Sequence, residues 1–146
     1  MLWGLDDWES KTKESIIKNM IKRFIKSKGS FPLSNAILHD SKYILEISGQ
    51  IGMDAKTGEL VEGIENQTVK TLDNIKQILE EIGWNLSNII KATIYLSDMN
   101  NYAKMNEIYG KHFIKDYPTR AAVAVKELPR KALIEIECTA SGDKVK

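Results

Sequence analysis

Cysteine is almost missing from this chain of 146 residues: Cys138 stands alone, so no disulfide can form within it. That usage fits a reducing compartment. Histidine is as scarce, with only His39 and His112, and no pair of nitrogen or sulfur ligands has the spacing of a zinc site. Structural zinc is not expected on these grounds; an oxygen-ligated metal has no motif behind it, and the expectation is a protein without metal or cofactor. No apolar run reaches the ~18 to 20 residues that span a bilayer. The opening stretch carries Asp6, Asp7 and Glu9 and no uninterrupted apolar core, so it does not read as a secretory signal. A cytoplasmic protein without a membrane partner is the expectation. An excess of one charge is also lacking: 21 Lys and Arg against 20 Asp and Glu leave a net charge of +1. A near-neutral chain argues against a protein built around nucleic acid.

What is present reads as one α/β domain preceded by a short extension. Apolar residues make up 42% and charged residues 28% of the chain, values of an ordinary globular domain. Residues 1–27 differ from the rest, with five lysines and the rows Ile16/Met20/Phe24 and Ile17/Ile21/Ile25 at helical spacing. They predict a helix through about residue 19, leading into a first strand near Lys22 to Lys26. The remaining residues, 28–146, form the predicted domain. Ser34 to Leu38 and Tyr43 to Ser48 read as strands, the second broken by Gly49 to Gly52. Val69, Leu72, Ile75, Leu79 and Ile82 place a helix over about 66–82, and Gly83 supplies its stop. Ile89 to Leu96 is a β-branched strand, and Asp98 or Asn100 can cap a second helix burying Tyr102, Met105, Tyr109 and Phe113. Ala121 to Val125 and Ala132 to Ala140 read as two last strands joined through Leu128 to Lys131. Strand, strand, helix, strand, helix, strand, strand gives a two-layer α/β sandwich, a mixed sheet covered by two helices.

The last two strands hold the candidate chemistry. Alternation puts Arg120, Ala122 and Ala124 on one face, where two small side chains leave space beside a guanidinium. Arginine offers a planar fork that matches a carboxylate. In the partner strand Ile134, Ile136 and Cys138 face one way, Glu135 and Glu137 the other. A plain wet face with an Arg120–glutamate pair is the competing reading. A simple hairpin about Pro129 would set Arg120 opposite Cys138, and alternation alone does not fix the register.

Pro118 to Val123, followed by Leu128-Pro129 and then Ile134 to Glu137, resembles the signature of the reactive-intermediate deaminase (RidA, or YjgF) family. Ile47 to Ile51, Lys56 to Leu60, Thr71 to Ile75 and Asn101 to Asn106 resemble further segments of that family, in order, so the likeness runs from about residue 32 to 140. It implies a chorismate-mutase-like sandwich, assembled as a homotrimer with pockets between subunits. It also implies hydrolysis of 2-imino or enamino acids, such as 2-iminobutyrate, to 2-keto acids and ammonia, a form of metabolite damage control. By position, Arg120 matches the arginine that binds the substrate carboxylate, and Glu135 the glutamate that orients or activates water. Ser48, Gly49 and Asn106 match residues of the pocket. Ala122 stands where many members carry cysteine, and Leu33 where the family commonly has tyrosine. The loss of that tyrosine leaves a non-catalytic binder of small carboxylates as a second reading. The lysine-rich extension motivates a third, an RNA-acting or translation-inhibiting protein, against which the neutral charge stands.

Overall fold

The structure, a computed structural model, describes residues 22–146; the helix expected through about residue 19 lies outside them. Six strands and two α-helices follow one another: β1 (Lys22–Lys26), β2 (Ser34–His39), β3 (Tyr43–Ile51), α1 (Ile64–Glu81), β4 (Ile89–Leu96), α2 (Tyr102–Lys111), β5 (Thr119–Ala124) and β6 (Ile134–Gly142). The strands form one mixed sheet in the order β1-β2-β5-β4-β6-β3. Strand β5 runs parallel to β4 and β2, while β6 lies antiparallel to both β4 and β3. The expected α/β sandwich is present.

Alternation along β4 decides where the core sits. Ala92, Ile94 and Leu96 are buried, whereas Lys91 is exposed and Thr93 and Tyr95 are only partly covered. In the neighbouring strand Ile134, Ile136, Cys138 and Ala140 are buried on the same side. Against this face α1 lays Leu72, Ile75 and Leu79, and α2 lays Met105 and Tyr109. The Gln67 side chain of α1 accepts the Leu133 amide at 2.8 Å, tying the helix to the start of β6. The other face of the sheet carries no helix among the described residues and holds polar side chains such as Glu46, Thr93, Glu137 and Thr139.

Three local expectations shift. Helix α1 begins at Ile64, two residues early, with Gly63 ahead of it and no side-chain cap. Strand β3 is not broken at Gly49 but continues to Ile51 through a bulge, because Ser48 and Gly49 together face a single position of β6 between the Ile47–Cys138 and Gln50–Ile136 pairs. Strands β5 and β6 do not form a hairpin: β4 lies between them. Arg120 and Cys138 nevertheless fall in line, each paired with Ala92.

The stop at Gly83 works as expected. Its amide donates to Glu80 and the Trp84 amide to Leu79, at 3.1 and 2.9 Å, closing a Schellman motif that needs the positive φ of 79°. Trp84 then packs inward, its indole N–H donating to Lys144 at 2.6 Å. Gly83→Ala places a Cβ 3.2 Å from that of Lys146 in a left-handed residue. It should lower the unfolding free energy by about 1 kcal/mol, read as a shifted urea midpoint. An unshifted midpoint would show that the motif is dispensable.

Candidate active site

Arg120 lies on the helix-covered face. Its in-register neighbours, Ala92 and Cys138, are both buried there. Helix α2 meets it with Tyr102, Asn106 and Tyr109, at positions i, i+4 and i+7 of one helical stripe. The guanidinium carbon sits 5.1 Å from the Tyr109 ring and 5.8 Å from the Tyr102 ring. Such faces attract a cation and fix its plane. One arm is hydrogen-bonded: Nη2 donates to the Tyr102 hydroxyl at 3.1 Å. The other, Nη1, is buried without a partner among the described residues, and so are Asn106 Oδ1 and the Tyr109 hydroxyl. Buried polar atoms are ordinarily paired, and an unpaired one is costly. A buried donor on Arg120 and a buried acceptor on Asn106 thus suit a small polar ligand or water.

The salt-bridge reading of Arg120 fails, because it makes no ion pair among the described residues. Ala122 shares its face and lies half-buried beside Ile94. Strand β2 pairs with β5 only at Ser34–Thr119, so the β5 edge from Arg120 onward is not paired with β2. Leu33 precedes that pair and lines a cleft with Phe31, Ser34 and Tyr117.

The other predicted residues gather elsewhere. Glu135 pairs with Tyr95 and Ile51, on the face opposite Ile134 and Ile136. Its carboxylate rests over Gly49 so closely that any Cβ at Gly49 would overlap it. The overlapping atoms are the end of a flexible side chain that can swing aside, and Ser48 is exposed beside it. The two acids of β6 differ. Glu137 accepts the Tyr95 hydroxyl at 2.8 Å, whereas Glu135 has no hydrogen bond or ion pair among the described residues.

Arg120 and Glu135 are therefore not brought together within one chain. They stand two strands apart and three residues along, about 14 Å by ordinary strand spacing and rise, with side chains on opposite faces of the sheet. Helical periodicity marked Tyr102 and Tyr109 as core, without a hint that their rings clamp Arg120. The signal that could have exposed it was the i, i+4, i+7 relation to Asn106.

A model of the family described as endoribonuclease L-PSP matches residues 21–141. The chain belongs to this family, that of the RidA/YjgF proteins. It is similar to a RutC family protein of Pyrococcus horikoshii, at 51% identity over 75% of this chain and 86% of that one. It is 39% identical to human 2-iminobutanoate/2-iminopropanoate deaminase over 85% of this chain and 93% of the human one. Among solved structures, RidA from an Antarctic Psychrobacter superposes with a TM-score of 0.66 at 33% identity, covering 84% of this chain and 98% of that one. A conserved Rid family protein from Yersinia pestis reaches 0.74 at 28% identity, over 82% and 98%. The lone thiol of this chain, Cys138, is buried. Burial pushes Cys138 up to about 12, with the nearby Glu137 charge adding to the rise.

At pH 8 only about one Cys138 in ten thousand is then a thiolate. Ellman's reagent should label it on unfolding and barely at all in the native protein; rapid native labelling would contradict this burial. Gly49→Ala should swing the Glu135 carboxylate aside and shift the unfolding free energy by less than about 1 kcal/mol. A large drop in the melting temperature of that variant would show that the carboxylate cannot move.

Proposed function

We propose that the protein hydrolyses small 2-imino or enamino acids to 2-keto acids and ammonia, in a site assembled between copies of the chain. The observation that carries this reading is the Arg120 guanidinium, with Nη1 buried and unpartnered, in a chain of the RidA/YjgF family. The kinship with the human protein named for this reaction supports the choice of substrate class. The back-to-back placement of Arg120 and Glu135 favours a composite site. One protomer would supply Arg120, Asn106, Ala122 and Leu33, and Ser48, Gly49 and Glu135 of the partner subunit would complete it. A homotrimer, three copies of the 16.6 kDa chain or about 50 kDa, forms three such sites around a ring.

The chemistry asks little of the protein. The substrate carbon C2 is already electrophilic, so positioning carries much of the reaction. Arg120 holds the carboxylate and the free β5 edge at Ala122 offers backbone contacts. Water adds to C2 while the Glu135 carboxylate accepts its proton, giving a tetrahedral carbinolamine. Glu135 returns that proton to nitrogen, then carries the C2 hydroxyl proton to nitrogen as well, so that the C–N bond breaks and ammonia leaves as the ketone forms. Atoms balance as imine plus water to keto acid plus ammonia. Removal of a reactive imine before it meets other proteins would be the cellular use.

The imine can be generated in situ from an L-amino acid by an oxidase and trapped with semicarbazide. The protein should divert it from the trap, and Arg120→Ala should lower this activity about 100-fold or more. Absence of diversion with any imino acid would sink the reading, and 2-ketobutyrate binding without turnover would favour the carboxylate-binding alternative. The shared site has its own test. Arg120→Ala and Glu135→Gln protomers, each inactive alone, should recover up to about a quarter of wild-type activity when unfolded together and reassembled in equal amounts. No recovery, or light scattering showing a monomer, would remove the composite site.

A further inference from the structure

Resting on that reading, we infer that Tyr102 is a second carboxylate-binding residue of the site, which both positions Arg120 and donates its own phenolic proton to the ligand. The direction of one hydrogen bond carries the argument. Guanidinium nitrogens only donate, so at the 3.1 Å contact from Arg120 Nη2 the Tyr102 oxygen must be the acceptor. Its proton is then free for another acceptor. A phenol accepting from a cation is polarised and becomes a stronger donor.

The surroundings say where that acceptor belongs. Tyr102 opens α2 immediately after a short 3-10 turn, Met99–Asn101, which the Asp98 side chain caps by accepting the Asn100 amide at 2.9 Å. The ring is therefore anchored at its root. Phe31 packs on it in a tilted contact, ring centres 6.3 Å apart. Phe31 is 53% exposed, so the pair marks the outer rim of the Arg120 site and not its floor. Tyr109 forms the floor: it is fully buried, and burial pushes its phenol well above the usual range, keeping it neutral. Phe31, packed on the Tyr102 ring, brings no side-chain donor of its own. Tyr102 thus sets a phenolic donor at this rim, next to a cation whose Nη1 is unpartnered among the described residues. A carboxylate lying against Arg120 gains a contact to the phenol with one oxygen. That contact also distinguishes a carboxylate from a neutral amide, whose single carbonyl oxygen cannot serve both donors equally.

Tyr102→Phe keeps the ring, the contact with Phe31 and the stacking on Arg120, and removes only the hydroxyl. Its dissociation constant for 2-ketobutyrate by calorimetry, and KM for the imine, should rise about tenfold. The maximal rate should stay within about twofold and the melting temperature unchanged. The preference for 2-ketobutyrate over its amide should fall by the same factor, which a merely structural role would not produce. Wild-type affinity in the variant, or a loss of rate at constant KM, would overturn the assignment while leaving the imine reading intact, provided Arg120→Ala has lost binding. A wild-type protein that neither binds 2-ketobutyrate nor consumes imines would overturn both.

Discussion

Strand β4 separates the two residues on which the chemistry is proposed to rest. It pairs with β5 on one side and β6 on the other, so side chains in register across all three strands share a face. The line Arg120–Ala92–Cys138 lies on the side covered by the helices, with Ala92 and Cys138 buried and Arg120 partly so, while the line Val123–Tyr95–Glu135 emerges on the uncovered side. With a period of two residues, neither line can turn over without turning every hydrophobic residue of the core with it. The burial of Ile94, Leu96, Ile134 and Ile136 thus fixes Arg120 and Glu135 back to back as firmly as it fixes the fold.

Placing an arginine on a dry face is expensive unless its charge is met. Among the described residues no carboxylate meets it. Two aromatic faces, one phenol oxygen and a half-covered strand edge take that place. This arrangement satisfies part of the guanidinium and leaves Nη1 without a partner among those residues. The same contrast separates the acids of β6, where Tyr95 engages Glu137 and Glu135 is left over.

Much of this was legible in the sequence. The β-branched run at β4, the α1 stripe and the glycine stop at Gly83 each follow from periodicity or from a single backbone requirement. The order of strands was not, because pairing depends on contacts distant in sequence; Leu128 to Lys131 reads locally as a hairpin although β4 intervenes. The bulge at Ser48-Gly49 looked like a strand end for a related reason. Glycine signals a special backbone, but only the approach of Glu135 from β6 shows which kind. Alternation grouped Arg120 with Ala122 but left open whether that side was wet or covered, since it tells which residues share a side and not which side is covered.

The Gly49–Glu135 contact has a consequence for how such proteins can diverge. A hydrogen-bonded sheet lies between it and the rim of Phe31, Leu33 and Tyr102. Changes at that rim leave the bulge untouched, so the two surfaces of the sheet can vary independently. At Gly49 a side chain would meet only the movable end of Glu135, so a substitution there would re-aim that carboxylate before it strained the fold.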